Sequence, residues 1–598
     1  MPKLGILTSI YSVAAINFGV ATSAFGMSYL FNKNDEDTDK PHLPQLKHPL
    51  KANQVLWAAF LTGYVTFALE IAWFRSLKAS FGSRTESFAL MLAAVLVALA
   101  FGARLSRRLA QLRSNNTFFF LLIGSGLAIL FVTPLIERFD TLALDGHYYE
   151  STAKKFLATL CALGPAIAML GAVLPWLLDN ENKPERCAQI YSFNTLGAIL
   201  GSFSSAWLLI PSLGFARTSW LLGSILCFLG LKCLKAFHPL MIAALGALAF
   251  AISLESGIGR DRIQVPWVKN GKYKIVDYAE TQESTISIIE MESGQRDLVI
   301  DGFVTTGDQA ELTHYMKWMG HLPMLLHPNP TDSLVICFGT GQTAKALVDE
   351  GSHMVDVVDL NQAVLDMAHH FKVNENVLEK PQVRPIVMDG RAWLRRVDKQ
   401  YDVITLEPMA PTFAGVNSLY SQEFYEITKK RLKPDGIACQ WLPFHLLHPE
   451  HSVQIAATFQ HSFPNCGLWL DPVGFTGILV GSKSQEPLGQ SWPGLEREVE
   501  RSLTDSEIKR ALYLDSAGVA RLSRRQTLIT DDNQELAYGS LKRLSEPLHR
   551  KKSALSILHW ASSSPPPQKV DFQEVLKIRV DLSKDRSTKA ARRKLEGL

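Results

Sequence analysis

Paired cysteines are missing from this sequence. Its seven cysteines form no CxxC pair and show no metal-ligand spacing, which excludes a cysteine-built metal site. Cys161, Cys227 and Cys233 fall in apolar runs, and Cys337 and Cys439 in predicted core strands, where a thiol acts as a small hydrophobe. An excess of one charge sign is missing too. The 61 Lys and Arg against 57 Asp and Glu leave a net charge of +4, which excludes a basic surface built for nucleic acid. A convincing small-residue cleavage site after the apolar segment 4–30 is also lacking. That segment therefore reads as an anchor or first span rather than a signal peptide.

What is present divides sharply. At 598 residues the chain is too long for one domain. Its average of 47% hydrophobic and 20% charged residues hides a split near residue 256. Before that point come long apolar runs at 4–30, 55–77, 88–105, 118–136, 156–178, 188–210, 219–234 and 239–254. By the length rule for bilayer crossing they predict about eight spans. Gly197, Gly201 and Ser205 recur every fourth residue, a spacing that suits close helix packing. Asn194 is expected to donate a hydrogen bond between helices. Glu70 and Arg75 flank Trp73 inside a span and read either as part of a polar site or as a structural pair between helices.

After residue 256 the pattern changes to that of a soluble α/β domain. Residues 273–301 alternate as three short strands, a small β-unit within 257–307. A helical period covers about 309–326. The stretch 332–361 then reads strand, glycine turn, helix, strand, acid. Gly339 and Gly341 flank Thr340 in the turn, and Asp359 ends the second strand about 20 residues later, the spacing a doubly wound sheet uses to place a carboxylate on a ribose. Further strands are predicted at 383–387, 401–406 and 437–441, with a helix at 424–432. Asp389 and Glu407 follow two of these strands. Ligands of parallel sheets sit at the carboxyl ends of the strands, so Asp359, Asp389 and Glu407 are expected to converge. Together they form a site for cations or for nucleoside hydroxyls and amines, although any one of them could instead cap a helix.

The segments VIDGFVTTGDQAELTHYMKWMGHLPMLLHPNPTDSLVICFGTG and DVITLEPMAPTFAGVNSLYSQEFYEITKKRLKPDGIACQWLP resemble the spermidine synthase (polyamine aminopropyltransferase) family. LITDDNQELAYG, GYVTFALEIAWFRSL and YSFNTLGAILGS are similar to segments of its membrane-fused relatives. The resemblance covers about 54–538. It implies a class I methyltransferase-like, Rossmann-like domain over 308–545. It also implies a co-substrate, S-adenosylmethionine or its decarboxylated form, and no metal. By the same match, Gly339, Thr340 and Gly341 line the cofactor turn and Asp359 takes the ribose. Asp389 with Gly390 lies near the adenine amino group. Glu407 stands where the family has its catalytic aspartate, and Tyr315 and Asp308 face the amine acceptor. One departure stands out. The family's DSxDP-type loop is here Glu407–Pro408–Met409–Ala410–Pro411, with its second acid replaced by Ala410.

Aminopropyl transfer needs a neutral amine, whereas a free amine with a pKa of about 10 is protonated at neutral pH. Glu407 is the one residue of the matching loop able to hold the amine and accept its proton. The expected function is thus a membrane-anchored aminopropyl transferase. The alternatives are a methyltransferase on a membrane-delivered acceptor, or a transporter or scaffold whose sheet domain senses a nucleoside. The expected partners are a small amine, the lipid bilayer and, for assembly, a second copy of the chain. The expected location is the cell inner or plasma membrane. Arg104, Arg107, Arg108 and Arg113 mark one loop as cytoplasmic. Counting spans from that loop puts the soluble domain outside, whereas the origin of sulfonium nucleosides puts it in the cytoplasm, which is the expectation adopted. Residues 546–598 read as a linker and charged tail.

Overall fold

The structure is a computed structural model. It describes residues 5–32, 51–83, 85–110, 116–136, 148–181, 183–233, 273–443, 446–447, 449–471, 476–484, 486–489, 491–497 and 512–538. The eighth apolar run and the tail lie outside the described residues.

The other seven apolar runs all form helices: α1 (Gly5–Asn32), α2 (Ala52–Phe81), α3 (Thr85–Ala110), α4 (Asn116–Ile136), α5 (Tyr148–Asp179), α6 (Pro184–Ser204) and α7 (Ile210–Cys233). Among the described residues five helical stretches are long and apolar enough to cross a membrane; α4 is shorter, and α6 runs into α7 as one stretch. A π-helical turn at Ser205–Leu209 joins those two, and Gly214, at φ 78° and ψ 166°, kinks α7 after its first turn.

The small-residue ladder does what its spacing predicts. A Cβ on Gly197 would lie 2.0 Å from the Phe60 carbonyl oxygen, and one on Gly201 2.2 Å from that of Tyr64. Hydrogen there lets α6 lie directly on α2. Two hydrogen bonds fix the parallel register: Asn194 Nδ2 donates to the Ala59 carbonyl at 2.9 Å, and Ser205 Oγ to that of Ala68 at 2.9 Å.

The second half opens with an antiparallel sheet, β1 (Tyr273–Glu280), β2 (Thr285–Met291), β3 (Arg296–Ile300) and β4 (Phe303–Gly307), in that spatial order. The first three strands match the sequence reading; β4, with only Phe303 and Val304 as large apolar residues, escaped it. Helix α8 (Ala310–Leu326) leads into the main sheet. There β5 (Asp332–Ile336), β6 (Met354–Asp359), β7 (Val383–Val387), β8 (Tyr401–Leu406) and β9 (Leu432–Leu442) are parallel, in the order β9-β8-β5-β6-β7. Antiparallel β11 (Gly477–Ser482), β10 (Asn465–Leu470) and β12 (Leu512–Leu514) extend the β9 edge. Buried Leu334, Ile336, Ile404, Leu406 and Ala438 are among the sheet residues of the core on one face of this sheet.

The strand order reverses between β5 and β8. The chain leaves β5 toward β6 and β7 on one side and returns to β8 and β9 on the other. Such a switch point opens a crevice at the carboxyl ends of the two strands.

The two halves are packed together. Lys78 of α2 pairs with Asp301 in the β3–β4 turn at 2.6 Å, both largely buried. Arg75 donates to the carbonyls of Thr281 and Gln282, so it serves the β1–β2 turn. The Phe215 amide, just past the α7 kink, donates to Glu280 at 2.8 Å. At the other end of the chain, the Ile6 amide at the start of α1 donates to the Asp532 carbonyl at 3.0 Å.

Candidate active site

The crevice at the switch point holds a cavity of about 260 Å³. Its walls come from four places: β4 and the start of α8, the turn after β5, the loop after β8, and the end of β9 with the residues that follow. It is larger than a cavity of about 150 Å³ that encloses benzene.

Glu407 follows β8 and faces this cavity. The Tyr315 hydroxyl, from α8, donates a hydrogen bond to Glu407 Oε1, and the Tyr315 ring stacks on Trp441 of β9 at 5.9 Å and 14°. Burial pushes the Glu407 carboxyl up to about 8, while the Tyr315 hydrogen bond pulls it the other way. The same burial, with the Glu407 charge beside it, holds the Tyr315 hydroxyl well above its ordinary value. A carboxyl poised near neutrality in an apolar wall is the arrangement a general base requires.

The glycine turn is built by strand ends. Gly339 (φ 60°) and Gly341 (φ 86°) both take left-handed backbone. A Cβ on Gly341 would meet the Phe338 ring at 2.6 Å. Gly339 lines the cavity. Thr340 is fully buried, and its hydroxyl points at the Met316 sulfur. Asp359 ends β6 and is buried; it accepts the Phe338 amide at 2.9 Å on one oxygen and the Asn361 amide at 2.9 Å on the other. It therefore holds the glycine turn in place. Burial raises its carboxyl above the usual range, and the backbone amides oppose that rise.

The remaining expected residues are placed differently. Asp389 is exposed and caps helix α9 (Gly390–Arg396), accepting the Ala392 amide at 2.7 Å. Gly390 is buried because a Cβ would meet Ile336 at 2.3 Å. Asp308 accepts the Arg296 amide at 2.9 Å, tying the end of β4 to β3, and its neighbour Gln309 lines the cavity. The structure thus brings Tyr315, Gly339 and Glu407 together in one cavity. Thr340, Gly341, Asp359, Asp389, Gly390 and Asp308 support or surround that cavity without lining it.

Several lining residues were not expected at the site from the sequence: Phe303, Gln309, Trp441, Leu446, Thr476, and Cys337, which had been read as a core thiol. Cys337, four positions before the second turn glycine, sits at φ 70°, a conformation a side-chain-bearing residue adopts at a cost of about 1–2 kcal/mol. Behind the wall, His314 Nδ1 lies 2.5 Å from buried Asp471, and Gln309 donates to Asp297 at 3.2 Å. Among the described residues no cluster of three His, Cys, Asp or Glu side chains is placed to hold a metal ion.

Comparison with known proteins finds several that are similar to this chain. A spermine/spermidine synthase domain model matches residues 312–474. The polyamine aminopropyltransferase of Bacillus subtilis (strain 168) is 28% identical over 222 residues, covering 36% of this chain and 80% of that one. The polyamine aminopropyltransferase of Nitrosomonas europaea is 30% identical over 213 residues, 34% and 65% respectively. That of Oceanobacillus iheyensis is 25% identical over 373 residues, 59% and 70%. Among solved structures, a spermidine synthase in complex with the transition-state analogue AdoDATO is 21% identical, covers 42% of this chain and 88% of that one, and has a TM-score of 0.37.

Proposed function

We propose, from the premise that this chain belongs to the spermidine synthase-like family, that it is a transferase moving an aminopropyl group from decarboxylated S-adenosylmethionine to an amine. The observation that carries the reading is Glu407, a buried carboxyl raised to about 8 on the wall of a cavity at the switch point. The amine enters protonated and loses its proton before or during attack. Its nitrogen attacks the propyl carbon bound to the sulfonium, the carbon–sulfur bond breaks, and the bonding pair stays on sulfur as methylthioadenosine. Glu407 takes the proton, and Tyr315 holds the carboxylate in place through its hydroxyl. A positioned base of this kind contributes roughly 10²–10⁴-fold.

For the donor we propose that Gly339, Thr340 and Gly341 form the turn beside the sulfonium and that Asp359 takes the ribose. Asp389 and Gly390 would lie at the adenine end, and Asp308 would stay a support for Gln309 on the acceptor side. The Glu407→Gln variant tests the reading. It is expected to bind the donor as wild type does and to release methylthioadenosine at least about 100-fold more slowly; undiminished release would overturn the assignment.

We also propose that the helical half spans a bilayer. Large apolar side chains stand exposed along α1, including Tyr11 at 71% and Phe18 at 73%, and lipid is the solvent that suits them. Two signals bear on the side and oppose each other. The ends of α3 and α6 remote from the α/β domain carry Arg107, Arg108, Lys183 and Arg186, which favours that end in the cytoplasm. The donor is made in the cytoplasm, which favours the domain there. We keep the cytoplasmic placement because the enzyme needs its donor.

A further inference from the structure

We propose that Arg75 of α2 is a positioning residue for the donor. Acting through the β1–β2 turn and Asn361, it fixes where Asp359 and the glycine turn stand, so the helical half is part of the donor site. The inference rests on the proposed transfer reaction and deepens it at the nucleoside end.

The first observation is how firmly Arg75 grips the turn. The residue is 6% exposed. Its Nη2 donates to the Thr281 carbonyl at 2.8 Å and to the Gln282 carbonyl at 3.0 Å. Its Nη1 is buried and finds no partner among the described residues, so these two carbonyls are what answers the guanidinium. A buried cation without acceptors is costly. The turn therefore cannot draw away from α2 without stripping that charge. Beside it, Glu280 accepts the Phe215 amide of α7 at 2.8 Å and the Tyr278 hydroxyl at 2.9 Å. The turn is fastened to two helices.

The second observation is what the same turn holds on its other side. Asn361 is 4% exposed. Its Nδ2 donates to Thr281 Oγ1 at 2.8 Å and to Ser284 Oγ at 2.9 Å. Its side-chain oxygen accepts the Ala363 amide at 3.0 Å and starts the short helix Gln362–Asp366. Its own amide donates to Asp359 Oδ1, whose other oxygen accepts the Phe338 amide at the head of the glycine turn. Thr281 stands at the junction, giving its carbonyl to Arg75 and its hydroxyl to Asn361. An unbroken series of hydrogen bonds thus runs from a helix of the first half to the turn proposed to hold the donor. Binding groups work only when their supports fix them to within about 0.5 Å, and here the outermost support belongs to α2.

The test uses the full chain in phospholipid nanodiscs. Calorimetric titration gives the Kd of decarboxylated S-adenosylmethionine, and a thermal melt reports the fold. Arg75→Met is expected to weaken the donor by about 2–30-fold, the range over which residues of such networks act. Arg75→Lys, which keeps a donor for the carbonyls, is expected to lie nearer wild type. Thr281→Val with Ser284→Ala spares the carbonyls and removes the hydroxyls that receive Asn361; it is expected to weaken the donor by a similar factor. Adding Arg75→Met to that pair is expected to change the Kd by less than about twofold, because both cut one series. A lowered melting temperature with the wild-type Kd makes Arg75 a structural residue and overturns the inference, as do factors that multiply; the transfer reading then stands. If Arg75→Met does not fold, the hydroxyl pair decides: a wild-type Kd overturns the inference and a weakened one supports it. Wild-type protein that takes up no decarboxylated S-adenosylmethionine overturns the transfer reading, and the inference with it.

Discussion

Tyr315 and Glu407 lie 92 positions apart in the chain, yet the tyrosine hydroxyl is hydrogen-bonded to the carboxyl proposed as the base. The tyrosine stabilises the charged form of Glu407, so its removal raises the carboxyl further. Tyr315→Phe is expected to move the alkaline-rising limb of the kcat/KM profile to higher pH, with donor affinity retained. A pH–rate series on wild type and variant checks this.

The wild-type profile itself has a defined sign. The base must be deprotonated, and burial pushes its carboxyl up to about 8. Activity is expected to rise about tenfold per pH unit below that value and to level off above it. Stability runs the opposite way. A folded-state pKa above the unfolded one favours the protonated fold, so this group's contribution is complete below about 4.5 and is lost as the pH rises through about 8. Glu407→Gln is expected to melt higher than wild type at pH 9, by roughly 3–5 kcal/mol of stability, and to show no advantage at pH 4. Thermal melts at the two pH values read this directly.

Gly341 has left-handed backbone and no room toward Phe338. Gly341→Ala is expected to destabilise the α/β domain by at least about 1–2 kcal/mol and to weaken donor binding through the displaced turn. Calorimetric titration of the donor, beside a melt, separates the two effects.

Lys78 and Asp301 join the halves through a largely buried pair. Lys78→Met leaves Asp301 with its Thr285 amide bond alone. Breaking one side of such a pair costs about 3–5 kcal/mol, whereas Lys78→Met with Asp301→Asn is expected to recover much of that. A double-mutant cycle on unfolding gives the coupling.

The proposed cytoplasmic placement is tested by a single measurement. A reporter enzyme that is active only outside the cytoplasm, fused after Leu598, is expected to stay inactive; activity would place the domain outside, in line with Arg107 and Arg108 at the far end of α3.

Much of this architecture was legible in the chain. Hydrophobic period gave the helices and the parallel strands, and the Gly197–Gly201–Ser205 ladder gave a close-packing face, because both signals are local; that α2 is the helix packed on it was not legible. Glu407 was legible because a strand end fixes it. The strand-end acids were legible as positions but not as roles. Asp359 spends an acceptor on each of two amides and Asp389 caps a helix, choices that depend on which amides the fold presents. The cavity wall was hidden for the same reason: Phe303, Leu446 and Thr476 meet only once β4 and the loops beyond β9 fold over the sheet. The β10–β12 extension pairs with β9 through residues far along the chain, so no local period announced it.

The amide of Ala414 hangs on the Ser83 carbonyl, and the same short loop begins at Glu407. Its two ends thus belong to different bodies, one to the sheet and one to the helix turn. Any tilt of α2 against α3 has to be taken up by the few residues between, which include Met409 and Ala410. The packing of the helical half is thereby coupled to the shape of the cavity, and an excised α/β domain would lose that anchorage.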